Sequence, residues 1–350
     1  MSRSMPELLI ELRSDTKTQP TPGMRAAIAA AAVGDEQAGE DPSVNALCER
    51  VAALLGKARG LLLPSGTMCN LIAVMVHCRP GDEILAADVS HLMSSESGGA
   101  GLSGAFIRAL PSQRGIFSAE QVAAAVRPIK INAPKSRLVH VEQTVNRGGG
   151  SIWSLAALAE VAQAAKAAGL SLHMDGARIM NAVVASNVRA EQYAAFCDSL
   201  WLDLSKGLGC PVGAVLVGDD DFISAAQQWK FRLGGAMRQA GIIAAAGLYA
   251  LDHHVERLRV DHDNARLLAD RLKAIPGVSV VEPQTNIVFF DVGRAAITAP
   301  DLARELAKDG ILIGPESKTS LRAVTHLDVD PAGIESAAQA IARIVVGRHL

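Results

Sequence analysis

Aromatic side chains are scarce here, 3% of 350 residues, although apolar residues make up 49%. A core with so few rings must be filled by aliphatic and small side chains in close packing. Cysteine is also sparse. Cys48, Cys69, Cys78, Cys197 and Cys210 show no C-x-x-C spacing, so a disulfide scaffold and a cysteine-ligated zinc frame are both excluded. They read as buried, reduced thiols suited to a cytoplasmic protein. The net charge is −2 and no basic block occurs, which argues against nucleic acid as a partner. No apolar run reaches the ~20 residues that cross a membrane. The nearest, 61–78, is interrupted by Pro64, Ser65, Gly66 and Asn70. The opening Met1–Pro6 lacks the apolar centre of a secretion signal. No internal repeat or low-complexity tract is present.

The length suits about two domains. Short apolar runs at 60–63, 83–86, 106–110, 137–142, 170–174, 199–204 and 213–217 read as strands. Helical patterns at 43–55, 67–76, 119–126, 155–168 and 221–228 alternate with them. That alternation predicts an α/β domain around a mostly parallel seven-stranded sheet. Residues 234–274 read as helical and largely free of breakers, a link between domains. Beyond them the rhythm changes: strands at 278–282, 286–291, 311–313 and 321–324, helices at 300–308 and 331–346. The expected organisation is an arm and large domain over 1–240, a linking helix over 241–275, and a small α+β domain over 276–350.

The most informative residue is Lys206, in Leu204-Ser205-Lys206-Gly207-Leu208-Gly209. It follows an apolar strand and opens into glycines, so a planar group can lie close to it. A lysine in an apolar setting loses proton affinity, and the neutral amine forms a Schiff base with an aldehyde. Upstream, Leu172-His173-Met174-Asp175 ends a strand and runs into Gly176-Ala177-Arg178. Ligands of parallel α/β sheets gather at that end of the strands, and a carboxylate there suits a pyridinium nitrogen. Asp-Gly alone reads equally well as a strand-end turn. Arg178 and Lys206 tip the reading toward pyridoxal phosphate chemistry.

Ser65-Gly66-Thr67 lies between a strand and a helix. Free N–H groups at a helix start bind anions, so this is a phosphate cup or a simple capped helix start. His91, with Glu96 five residues on, is placed to stack on a ring or to be a solvated loop residue. Arg322, inside the apolar strand Leu321–Val324, needs an anion: a substrate carboxylate, bound bidentately, or an internal Asp or Glu. The segments Leu12–Thr16 and Gly39–Pro42 read as surface loops or as an arm that completes a site. Asp252-His253-His254 and Asp261-His262-Asp263 sit in a helical pattern and read as a solvated face, not a metal site.

Taken together, these motifs resemble the L-threonine aldolase group of the aromatic amino acid β-eliminating lyase and threonine aldolase family. The resemblance extends from Leu12–Thr16 and Gly39–Pro42 through Leu63–Met68, Leu172–Arg178 and Leu204–Gly209. It continues in Gly234–Gly241 and Arg322–His326. It implies a fold-type I pyridoxal phosphate enzyme, transferase-like in fold. It also implies a homotetramer of paired dimers with active sites between subunits, acting on a small amino acid. In that resemblance Lys206 is the Schiff-base lysine, Asp175 faces the pyridinium nitrogen and His91 stacks on the ring. Gly66, Thr67 and Ser205 hold the phosphate, with Arg238 from a neighbouring subunit. Ser14, Arg178 and Arg322 hold the substrate carboxylate.

The implied reaction cleaves a β-hydroxy-α-amino acid to glycine and an aldehyde. One departure stands out: the family's Glu-Asn-Thr-His-Asn appears here as Glu142-Gln143-Thr144-Val145-Asn146. Valine cannot take a proton. Either His91 acts through water, or an apolar wall at Val145 favours an aryl substrate such as phenylserine. The alternatives are a β-eliminating lyase, another pyridoxal phosphate enzyme acting on a modified amino acid, or an idle binding protein on the same scaffold.

Overall fold

A computed structural model describes residues 9–347; Met1–Pro6, read above as lacking a signal, lies outside them. The chain forms two compact units. One spans Pro20–Val255; the other combines the described residues up to Gln19 with those from Glu256 onward.

The larger unit is built on seven strands: β1 (Arg59–Leu63), β2 (Asp82–Ala87), β3 (Phe106–Leu110), β4 (Lys135–Glu142), β5 (Ser171–Gly176), β6 (Ser199–Asp203) and β7 (Ala214–Gly218). Their order is β1-β7-β6-β5-β4-β2-β3. Only β7 runs against the others. Strands buried on both faces read as continuous apolar runs, and every residue of β2, β6 and β7 is buried. Register aligns Glu142 with Asp175 and Asp175 with Trp201. The carboxyl ends of β4 and β5 thus present two acidic side chains side by side.

Three helices of the larger unit start where a side chain supplies the first acceptor. Ser65 caps Gly66–His77, Asp41 caps Pro42–Leu54 and Ser154 caps Leu155–Ala167. Asp41 is fully buried and also accepts from the N–H groups of Gly34 and Gly241. The Gly39–Pro42 segment is therefore anchored by a buried carboxylate and is not a plain surface loop.

The expected linking helix is two helices, Gly241–His253 and Leu258–Lys273, one in each unit. His254 ends the first. Its imidazole Nδ1 is bonded to the Leu208 carbonyl at 2.7 Å, a contact the local pattern could not announce. The expected solvated face is only partly so. Asp252 and His253 are exposed, whereas His254, Asp261 and His262 are buried. Burial raises the Asp261 carboxyl to about 6, and Arg257 holds it.

In the smaller unit a four-stranded antiparallel sheet runs in the order Gly314–Pro315, Ser320–Val324, Ile287–Asp291, Ser279–Val281. Helices Leu258–Lys273, Ala299–Lys308 and Pro331–Val346 contribute to its apolar core, with Leu268, Leu302, Ile334 and Phe290 fully or almost fully buried. Ile10–Glu11 pairs in parallel with Ile311–Leu312, so the early segment belongs to this unit, and Leu12 and Asp15 are fully buried. Among the described residues no helix is long and apolar enough to cross a membrane.

Candidate active site

Asp175 ends β5 with both carboxylate oxygens engaged. Oδ1 accepts from the Ala177 N–H at 2.9 Å, and Oδ2 from Asn70 Nδ2 at 2.9 Å. The side chain is 3% exposed, so its direction is fixed. Asn70 lies on the helix that Gly66 opens, and its Nδ2 also reaches Glu96 Oε1 at 2.7 Å. The same Glu96 oxygen meets His91 Nδ1 at 2.7 Å. The neighbour expected for His91 is therefore its partner, and this hydrogen bond, opposed by partial burial, raises the His91 pKa above its ordinary value.

Lys206 follows β6. Its Nζ lies 2.9 Å from Asp203 Oδ2 and 5.6 Å from the centre of the Trp201 ring. Asp203 Oδ1 accepts from the Ser205 N–H at 2.7 Å and from its hydroxyl at 2.9 Å, which sets the turn that carries the lysine. The Trp201 indole N–H donates to Asn70 Oδ1 at 2.7 Å. Lys206, Trp201, Asn70, Asp175, Glu96 and His91 thus form one contiguous group.

Gly66 is required by this packing. A Cβ there would sit 2.2 Å from the Trp201 ring, and one at Gly176 would sit 2.0 Å from the Trp201 carbonyl oxygen. Ser65 Oγ takes the Met68 N–H, which leaves the Gly66 and Thr67 N–H groups as the unmatched donors of the helix start. With the helix dipole they suit a phosphate. Arg178 is 5% exposed, and its backbone N–H donates to the Gln143 carbonyl at 3.1 Å. Arg238 stays outside this group in the chain. Its exposed guanidinium pairs with Asp35 at 2.7 Å.

Two expected substrate residues belong to the smaller unit. Ser14 starts a short helical turn and accepts from the Thr16 N–H at 3.2 Å. Arg322 Nε lies 3.3 Å from Glu316 Oε1, and Nη2 donates to the Arg13 carbonyl at 3.3 Å. The internal acidic partner is therefore present.

Three further residues of this region were not singled out by the sequence: Asn70, Trp201 and Glu142. Glu142 is 5% exposed, and its carboxylate accepts from the backbone N–H groups of His91 and Asn146. Burial first, and the neighbouring Asp175 second, raise its pKa from 4.5 to about 7. A carboxyl raised in the folded state keeps its proton while the unfolded chain has lost it. Stability from this group is then present at low pH and is lost as pH rises from about 4.5 to about 7. Glu142→Gln should remove that falling limb. Urea melts of both proteins at about pH 5 and about pH 8 test this; parallel losses in the two would refute it.

Val145 does not face open space. It is 1% exposed and bridges to Ser151, and a Cβ on Gly115 would lie 2.2 Å from its Cγ1. Its methyl groups pack on the Arg114-Gly115 turn, so the wall expected from the sequence is a buried loop contact. His91, Glu96 and Asp175 offer ligand atoms within 4.8 Å of one another. Asn70 donors already serve both carboxylates.

Fold and site define a class: α/β enzymes of fold-type I, in which a lysine and a strand-end carboxylate converge at the carboxyl ends of central strands in a mostly parallel sheet. Within that class the chain belongs to the beta-eliminating lyase family, whose model matches residues 11–295. It is 40% identical over 324 residues to the low specificity L-threonine aldolase of Escherichia coli K12, covering 92% of this chain and 95% of that one. It is 38% identical to low-specificity L-threonine aldolase 1 of Arabidopsis thaliana, covering 93% of each. The threonine aldolase structure from Leishmania major superposes with a TM-score of 0.83 at 18% identity, over 96% of this chain and 99% of that one. The serine palmitoyltransferase of Sphingomonas wittichii has the same fold, with a TM-score of 0.76 at 18% identity, over 97% and 88%.

Proposed function

We propose that the protein is a pyridoxal phosphate-dependent aldolase that cleaves L-threonine, L-allo-threonine or a related β-hydroxy-α-amino acid to glycine and an aldehyde. The observation that carries this reading is the convergence of Lys206, the doubly held Asp175 and the His91–Glu96 pair around Asn70 and Trp201. Full-length likeness to low-specificity L-threonine aldolases supports it.

The residues fit the cofactor. Lys206 would bond its aldehyde carbon, and Asp175 would face its ring nitrogen. His91 would lie against the ring. The Gly66 and Thr67 N–H groups would take the phosphate, with Ser205 and a neighbouring subunit's Arg238. When bound, pyridoxal phosphate supplies the electron sink for breaking the Cα–Cβ bond.

The chain's own groups do the remainder. Asp175, fixed through both oxygens, holds its carboxylate in one direction. Glu96 holds His91 Nδ1, so Nε2 is the nitrogen that exchanges a proton with the substrate hydroxyl. This role falls to His91 because Val145 has no acid–base group. Ser14, Arg178 and Arg322 would bind the substrate carboxylate, Arg322 by exchanging Glu316 for it. The reading extends to a cytoplasmic homotetramer of paired dimers.

Incubation with L-threonine, L-allo-threonine and L-phenylserine, with assay of glycine and aldehyde, tests the proposal. Glycine is the expected product. Ammonia plus a keto acid would mean β-elimination, and no product from any of the three would overturn the aldolase reading.

A further inference from the structure

Asn70 is fully buried and has four side-chain partners. Its orientation has one solution. The Trp201 indole nitrogen can only donate, so the amide oxygen must face it, 2.7 Å away. The two amide hydrogens then point at Glu96 Oε1 and Asp175 Oδ2, at 2.7 and 2.9 Å. A flipped amide would set N–H against N–H and oxygen against two carboxylates.

The second approach to the oxygen is from His173 Nε2 at 3.2 Å, which must donate. His173 Nδ1 must then accept from the Ser199 hydroxyl at 2.8 Å, and that oxygen accepts from His77 Nε2 at 2.7 Å. Burial lowers the His173 pKa well below its ordinary value and brings His77 to about 4. Both rings are thus neutral, as this one-way chain requires. The chain fixes Asn70 from behind, and Asn70 presents two donors in front.

We infer that Asn70 is a positioning residue for the cofactor. It aims Asp175 at the ring nitrogen and ties that carboxylate to the Glu96–His91 pair, so that the nitrogen edge of the ring site and its stacked face are set by one amide. The inference rests on the proposed reading of Asp175.

The test follows release of pyridoxal phosphate from holoenzyme, by loss of its near-visible absorbance during dialysis, across a range of pH. Asn70→Asp has the same shape and keeps the acceptor for Trp201 and His173, but offers a third carboxyl where two donors stood. Hydrogen bonds to charged groups contribute enough that release should quicken by roughly 10- to 100-fold. The introduced carboxyl can donate only while protonated, so the acceleration over wild type should grow with pH.

Asn70→Leu provides a test that does not depend on that carboxyl. It should accelerate release in an otherwise native chain and add little when Asp175 is already alanine, because the two act as a unit. If Asp175→Ala releases cofactor no faster than wild type, the reading of Asp175 fails. If Asp175→Ala does accelerate release, two results overturn the positioning role. One is a pH-independent effect of Asn70→Asp; the other is full additivity of Asn70→Leu with Asp175→Ala.

Discussion

Lys206→Ala is expected to abolish glycine formation, by roughly 10⁴-fold or more, the scale seen when a covalent nucleophile is removed. Only an amine at the mouth of the sheet can bond an aldehyde carbon and later exchange places with the substrate amine. The lysine is 18% exposed, and the turn that carries it is set by Asp203 and Ser205. Alanine therefore leaves the fold in place. Borohydride treatment of the wild-type holoenzyme should fix pyridoxal phosphate on Lys206, read by peptide mass, and the variant should fix none there. Label on another lysine, or near-normal turnover, would sink the assignment.

Asp175→Asn should lower kcat by about 10²–10³, the range for losing one preorganised electrostatic partner of a transition state. The substitution keeps shape and burial. The Ala177 N–H retains an acceptor in the amide oxygen, but the amide nitrogen then faces Asn70 Nδ2 as a second donor. A near-wild-type kcat would mean that Asp175 does not face the ring nitrogen. A fall in kcat with little change in KM is the expected pattern, because the charge acts on developing electron density and not on the bound amino acid.

Much of the fold was legible in the sequence because its signals are local. The seven strand positions of the larger unit are apolar runs bounded by turn residues, and each appears within a few residues of its expected place. Lys206 and Asp175 stood out for the same reason: each lies at the carboxyl end of a strand, beside glycine. Helix Pro22–Ala29 escaped because Pro-Gly punctuates turns in a sequence, although proline at a helix start is well accommodated. Asn70 escaped for a different reason. Its partners lie 26, 103, 105 and 131 positions away, and nothing in Met68-Cys69-Asn70 announces them. Val145 was legible as a departure from a motif, but its setting against Gly115 was not, since that contact is made by the fold. Arg322 was recognised as needing an anion; whether Glu316 or a ligand supplied it was beyond a linear pattern.

The strand at Ile10–Glu11 has a consequence for biosynthesis. Its partner is Ile311–Leu312, and the Glu11 carbonyl accepts a hydrogen bond from His326, 315 positions away. A ribosome adding ~5–20 residues per second would deliver that partner roughly 15–60 s after the first strand emerges. Until then Leu12, fully buried in the finished protein, is exposed to whatever binds apolar nascent chain. The larger unit, whose pairings all fall between residues 20 and 255, can fold during that interval. The small unit is therefore the last part of the molecule to close, and its early segment is the natural place for a chaperone to hold.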